Sequence, residues 1–291
     1  MSKVLLFNAT GSQGQTILRR LLEQGHSVVA PVRSKEKLGM IRGLGAEAFV
    51  SDLSSLSLAA EIEKVDKVVL QIPAAVAPEA MVQITKAATE AIQCAGNPKT
   101  VFVISSTIPT STTQVSSVDA RRTMVELAAN HMPDTPILSS TEYLENLSTA
   151  YRQPIVENGV IPQTVPATLK VNYLSWDDLA SYVIAALDSD ELLGQVYPIG
   201  GKEGIDGNDL AQRLGKVIGR EVHYAPISHE QLRGFLTPIM GPDVAKDYAE
   251  FYQWQDTTGA SLLNPDTSQI RQKLGVELTS FEDWAIGAFN R

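Results

Sequence analysis

A single cysteine, Cys94, in a chain of 291 residues excludes an intramolecular disulfide and any multi-cysteine metal site. The thiol falls among Ala87, Ala88, Ala91 and Ile92 on one predicted helix, so a buried structural thiol is expected. Basic clusters are missing too. No run of five or more Lys and Arg occurs and the net charge is −9, which argues against a nucleic-acid backbone as partner. The longest apolar stretches are strand-sized, short of the ~20 residues that a membrane span needs, and no basic segment precedes an apolar one at the N-terminus. A cytoplasmic protein is expected, with no membrane contact. The four histidines (His26, His131, His223, His229) are scattered without metal-ligand spacing, and neither HExxH nor GxSxG is present. Zinc and serine-hydrolase chemistry therefore lose their sequence support.

What is present is an ordinary globular composition, 44% hydrophobic and 20% charged, in a length that fits roughly two domains at ~150 residues each. The stretch from Val4 to Gly14, VLLFNATGSQG, organises the reading. An apolar run is followed by glycines three apart and then by Ile17, Leu18, Leu21 and Leu22 at helical spacing, so a buried strand turns sharply into a helix. Amides at such a helix start lack internal partners and carry the positive end of the helix dipole, which suits a pyrophosphate if no Cβ obstructs it. Gly11 and Gly14 supply that clearance, with Asn8, Thr10, Ser12 and Gln13 around them; the alternative is a tight turn with no ligand. Residues 27–32 read as a second strand, with Pro31 placed at its end, where a missing donor costs least. Arg33 and Lys37 then stand where an NAD-specific site would carry an acidic residue for the ribose hydroxyls. Guanidinium there suits a 2′-phosphate, and NADP(H) is the expected cofactor.

Further strands are predicted at 47–50, 67–72, 101–104 and 136–138, separated by helices over about 78–95 and 119–131. This alternation, with near-continuous apolar strands, predicts an α/β doubly wound parallel sheet covered on both faces. Asp52 and Leu53 after the third strand are expected to border the adenine, and Gln71 and Ile72 end the fourth strand at the cofactor. Ser105-Ser106-Thr107 closes the fifth on the ligand side. From about Leu147 the alternation loosens; 160–166 is a proline-punctuated crossover, and Ser175 caps a helix that leads to a strand over 195–199. Residues 1–150 are thus expected to form the nucleotide-binding domain, completed by about 174–199, with about 151–173 and 200–291 forming a smaller α+β lid or substrate lobe. In that lobe Tyr248, Phe251 and Tyr252 make an i, i+3, i+4 stripe, a pattern more often core than pocket.

The turn resembles the GxxGxxG turn of extended and atypical short-chain dehydrogenases, with Asn8 in the first glycine's place. Asn tolerates positive φ better than most residues. Taken with Arg33, Lys37, the Arg122-x-x-x-Glu126 helix, the segment Glu142-Tyr143-Leu144-Glu145-Asn146, and Trp176-Asp177-Asp178-Leu179-Ala180, nearly the whole chain is similar to the NmrA-like group of atypical short-chain dehydrogenase/reductases. That group includes NADPH-dependent quinone reductases and redox-sensing regulators. The resemblance implies that Gln71, Arg122, Tyr143 and Asn146 lie near the nicotinamide end, the last three being the candidate catalytic residues.

None of the eight tyrosines has Lys at the fourth following position, so the Tyr-x-x-x-Lys proton relay of ordinary members is missing and alcohol–ketone chemistry and sugar-nucleotide epimerisation lose support. Arg122 stands where the group often has lysine, and Arg is in effect never deprotonated. Two functions are expected as alternatives. One is NADPH-dependent hydride transfer to a quinone-like or other flat aromatic acceptor, with solvent supplying the proton and no need for a group titrating between about pH 6 and 9. The other is a regulatory protein that binds NADP(H) and signals its redox state to a protein partner.

Overall fold

The computed structural model describes residues 1–53, 55–73, 76–106, 108–109 and 111–289. The chain runs β1 (Lys3–Leu6), α1 (Ser12–Glu23), β2 (Ser27–Val32), α2 (Leu38–Gly43), β3 (Glu47–Val50), α3 (Ser55–Ile62), β4 (Lys67–Gln71), α4 (Pro78–Cys94), β5 (Lys99–Ile104), α5 (Ser116–His131) and β6 (Ile137–Ser140). Then come α6 (Glu145–Ser148), β7 (Val160–Ile161), α7 (Trp176–Asp188) and β8 (Val196–Ile199). A parallel sheet orders its strands β3-β2-β1-β4-β5-β6-β8. The chain leaves β1 toward one edge through β2 and β3, returns to β4 on β1's other side, and continues toward the opposite edge. Between β1 and β4 lies the switch point at which doubly wound sheets bind ligands.

Successive strand residues point to opposite faces, and here both faces are covered, which is why the strands are apolar without alternation. Val4 and Leu6 of β1 pack with Ile17 and Leu18 of α1 and with Tyr182 and Val183 of α7. Leu5 and the following Phe7 point the other way, toward Ile92 of α4 and Met124 of α5. Pro31 sits inside β2, one residue before its end, and is tolerated for a topological reason. Ser27 donates its N–H to Ser2 on the β1 side and Val32 accepts from Ser51 on the β3 side, so by alternation Pro31's missing donor would face β1. Pairing with β1 has already stopped at Val29.

Beyond the sheet come α8 (Gly207–Ile218), β9 (His223–Tyr224), α9 (His229–Met240), α10 (Pro242–Asp256), α11 (Ser268–Leu274) and α12 (Phe281–Phe289). The crossover contains β7, which pairs in parallel with β9. A separate core of Leu147, Ile161, Val171, Leu210, Leu214 and Phe281 holds this lobe together. Helix α10 returns to the helices that cover the parallel sheet, where Phe251 and Trp254 pack on Val118 of α5. Ser175 caps α7 by accepting from the Asp178 amide, as the sequence predicts. Cys94 departs from expectation: it is exposed. It follows the buried Ile92 by two residues, a rotation of about 200° that carries it to the outer face of α4.

At the β1–α1 turn helix and strand approach closely. Asn8 has φ 57°, and its carbonyl accepts from the Gly11 amide at 3.0 Å. A Cβ on Gly14 would lie 2.1 Å from the Asn8 carbonyl oxygen and 2.9 Å from the Ala9 Cα. Gly14 therefore serves the packing of helix on strand, whereas the sequence reading assigned it to ligand clearance. Gly14→Ala is expected to lower stability in urea unfolding by about 1–3 kcal/mol, the cost of overpacking against a neighbour that cannot rotate away.

Candidate cofactor and acceptor site

The turn delivers α1 with its N-terminus at the switch point, and no side chain caps it. First-turn amides of a helix lack internal acceptors, so those of α1 are directed at the space above β1 and β4. On one side of this point is a small cavity of about 60 Å³, lined by Asn8, Thr10, Arg33, Leu53 and Gln71 among others. On the other side a cleft of about 160 Å³ is lined by Gln13, Arg121, Glu142, Tyr143, Asn146 and the α10 side chains Tyr248, Phe251, Tyr252 and Gln255. The two flank the helix start as the two halves of an extended ligand would. A wider depression, about 710 Å³, lies between α8 and β9 on the lobe, remote from the strand ends.

Arg33 emerges at the end of β2 beside the smaller cavity, exposed, and among the described residues no carboxylate is within ion-pair distance of it. Lys37 ends a short turn over Lys35–Lys37, exposed and not among the residues lining that cavity. Leu53 lines it with φ 62°, a conformation that costs a bulky residue of order 1–3 kcal/mol. Asp52 accepts from the Ser57 hydroxyl at 3.3 Å. Ile72 is buried in the core beneath this end of the sheet. Ser12, at the start of α1, is exposed.

A polar chain joins the strand ends across the switch point. Gln71 donates through Nε2 to Gln13 Oε1 at 2.5 Å, and the Ser105 hydroxyl donates to the same oxygen at 2.8 Å. The Tyr143 hydroxyl lies 3.4 Å from Ser105 Oγ and 2.7 Å from Ser140 Oγ. Among the described residues Gln71 Oε1 is buried without a partner, a donor-seeking atom at the base of the site. Burial pushes the Tyr143 phenol up to about 12, with the Ser105 and Ser140 hydrogen bonds opposing the shift. It stays protonated at neutral pH and serves as a neutral hydrogen-bonding group. Thr107 lies outside the described residues.

The arginine of the cleft is not the one expected. Arg122 is half-buried on α5, does not line the cleft and pairs with Glu126 at 2.7 Å, so the Arg-x-x-x-Glu pattern is an intrahelical ion pair. One residue earlier, about 100° around the helix, Arg121 is buried and lines the cleft. Its Nη1 donates to the Ser117 carbonyl at 2.6 Å and its guanidinium lies 4.5 Å from the Phe251 ring centre. The signal was in the sequence: Ser117, Val118, Arg121, Met124 and Ala128 share the buried face. The Tyr248–Phe251–Tyr252 stripe, expected as core, both packs on α5 and walls the cleft.

Asn146 donates through Nδ2 to Glu142 Oε2 at 3.1 Å, and Gln255 donates through Nε2 to Glu142 Oε1 at 2.8 Å. Burial first, and the neighbouring Asp256 carboxyl, push Glu142 up to about 7 against these hydrogen bonds. The sequence marked neither Glu142 nor Gln255 as a site residue, because 113 positions separate them and only the return of α10 brings them together. Glu145 faces away from the cleft. Its Oε1 accepts from the Trp176 amide and from Trp284 Nε1, both at 3.1 Å, while its Oε2 is buried with no partner among the described residues. Among the described residues no three His, Cys, Asp or Glu side chains converge as metal ligands, and no helix is long and apolar enough to cross a membrane.

An open parallel sheet of this order, with a helix N-terminus at its switch point, is a dinucleotide-binding architecture of the Rossmann type. The chain belongs to the NmrA-like family, which it matches over residues 1–285. It is 23% identical over 309 residues to the photosystem II assembly factor Ycf39 of Synechocystis sp., covering 99% of this chain and 91% of that one. It is 27% identical over 248 residues to the NAD(P)H azoreductase of Xenophilus azovorans, covering 84% of each. Its fold matches that of the Escherichia coli NADPH-dependent quinone oxidoreductase complexed with NADPH, with a TM-score of 0.81 at 20% identity over 99% of this chain and 100% of that one.

Burial pushes Glu145 from its ordinary 4.5 to about 7, so the folded state holds this proton more tightly than the unfolded chain. Its contribution to stability is complete below about pH 4.5 and is lost as pH rises through 7. At roughly 1.4 kcal/mol per pKa unit the loss is at most about 3.5 kcal/mol. Glu145→Gln should flatten that part of the urea-unfolding stability profile between pH 5 and 8, and an unchanged slope would show that the carboxyl ionises freely in the fold.

Proposed function

We propose that the protein is an NADPH-dependent oxidoreductase that reduces a quinone or similar flat conjugated acceptor. One observation carries the reading: the uncapped start of α1 stands between a small cavity beside Arg33 and an aromatic-walled cleft. An extended dinucleotide fits this arrangement, with its pyrophosphate on the amides of Ser12, Gln13 and Gly14, its adenosine half along Asn8, Thr10, Asp52 and Leu53, and its 2′-phosphate on Arg33 with Lys37 near. A bound reduced nicotinamide supplies a hydride. Gln71 and Ile72 would border the nicotinamide half, with Tyr143 and Asn146 holding the reacting partners in place. Arg121 supplies the positive charge for which the sequence suggested Arg122. Tyr248, Phe251 and Tyr252 provide ring faces for a flat acceptor. The names of the azoreductase relative and of the quinone oxidoreductase with the same fold support this class of acceptor.

A second reading is a dinucleotide-binding protein that acts on a protein partner with little turnover. It is favoured by the near full-length likeness to a photosystem assembly factor. NADPH oxidation measured against a panel of quinones and azo dyes separates the two, since tight NADPH binding with no oxidation of any acceptor would favour the second.

Arg33→Ala is expected to weaken NADPH binding ten- to a hundredfold, in line with ~1.5–3 kcal/mol for a charge-assisted contact, and to leave NADH binding nearly unchanged. Calorimetric titration with both cofactors checks this. Equal weakening of the two, or a wild-type preference for NADH, would sink the 2′-phosphate assignment.

A further inference from the structure

Besides the Tyr248 and Tyr252 phenols, three groups in the cleft stand where a proton could be handled. Arg121 is a permanent cation, and Tyr143 is a phenol whose proton is held far above neutrality. The third is Glu142. Its carboxyl is gripped on both oxygens by neutral amides, Asn146 Nδ2 from α6 and Gln255 Nε2 from α10, and no cation lies within ion-pair distance among the described residues. The Tyr252 hydroxyl also hydrogen-bonds the carboxyl and opposes the shift, while the nearest charge is unfavourable to a carboxylate. Asp256 at the end of α10 adds a like charge, itself paired with His229 at 3.1 Å. The Tyr151, Tyr173, Tyr248 and Tyr252 phenols, from the surrounding segments, are held protonated by burial. Arg121 of α5 is the cation sharing the same cleft. Two amides and the Tyr252 hydroxyl fix the carboxyl's direction without neutralising its charge, which suits a group that carries a proton to the cleft and gives it up there.

We propose that Glu142 is the proton donor of the reaction, its carboxylic O–H aimed at an acceptor lying against Tyr248, Phe251 and Tyr252. The proposal rests on the oxidoreductase reading above. An acceptor that gains a hydride gains two electrons and one hydrogen, and is left one proton short of its neutral reduced form. The Glu142 O–H bond breaks, an O–H or N–H bond forms on the acceptor's oxygen or nitrogen, and Glu142 is left as a carboxylate. Release of the product opens the cleft to water, from which the carboxyl regains its proton. With Glu142 pushed to about 7, the donor is substantially loaded at neutral pH and empties above it. The acceptors that profit are those whose reduced form is a poor anion, so azo nitrogens and electron-rich quinones should depend on Glu142 more than electron-poor quinones.

The test uses the full chain and the variant Glu142→Gln, which keeps the shape of the side chain and one hydrogen-bond acceptor. In the protein without cofactor, NMR of carboxyl-¹³C-labelled glutamate should show one resonance titrating near pH 7 that is missing from the variant. Single-turnover oxidation of bound NADPH by tetramethyl-1,4-benzoquinone should slow tenfold per pH unit on the alkaline side. In the variant the rate should fall by roughly 10²–10⁴ and lose that limb, while NADPH affinity is unchanged. A Glu142 resonance that titrates below about pH 5, a wild-type rate independent of pH, or a variant as fast as wild type would overturn the proposal and leave the oxidoreductase reading standing. A wild-type protein that binds NADPH but passes hydride to no acceptor would overturn both.

Discussion

Everything at the ligand end depends on how closely the start of α1 approaches the end of β1. The Asn8 carbonyl occupies the place where a Gly14 side chain would be, and Asn8 itself takes a left-handed φ of 57° to turn the chain. Because α1 is pinned there, its unpartnered amides face the switch point and its buried face, Ile17, Leu18 and Leu21, lies on the sheet. Relaxing the turn would lift the helix from the strand, and the polar chain from Gln71 through Gln13 and Ser105 to Tyr143 would lose its central member. The same close contact thus serves stability and the geometry of the site.

The second organising feature is the return of α10 across the sheet's ligand end. Phe251 and Trp254 anchor it to α5, and this apolar contact makes possible a buried polar arrangement that neither element could hold alone. Arg121 loses water but gains the Phe251 ring and the Ser117 carbonyl. Glu142 loses water and gains amides from Asn146 and Gln255, yet among the described residues no cation within ion-pair distance. Desolvation without neutralisation drives a carboxyl's pKa upward, and such shifts gather at functional sites. Glu145 shows the structural counterpart. Equally shifted, it joins the start of α7 to Trp284 of α12 and takes no part in the cleft.

These differences bear on what membership of the NmrA-like family carries with it. Fold depends on backbone geometry and on few side chains, so it survives at 20% identity to a protein of the same fold. Reactivity depends on which side chains converge at the cleft. There the family-like segment from Glu142 to Asn146 does three separate jobs, a shifted carboxyl in the cleft, a neutral phenol beside Ser140, and a structural carboxyl turned toward Trp284.

The sequence by itself determined the sheet and the turn at its switch point. Apolar strands, the Asn8-to-Gly14 turn, the Ser175 cap and the place of Arg33 after β2 are local features, and local features are legible because period, capping and turn chemistry act over a few residues. Helix phase was legible as well, although the choice between Arg121 and Arg122 required reading the buried face of α5 through Val118 and Met124. Tertiary structure alone decided the rest. It carried Cys94 to the outer face of α4, excused Pro31 by ending the β1 ladder at Val29, and turned one aromatic stripe into both core and wall. Above all it brought Gln255 and Asp256 to Glu142. A pKa shift of that kind is the sum of lost water and long-range neighbours, and no pattern along the chain encodes it.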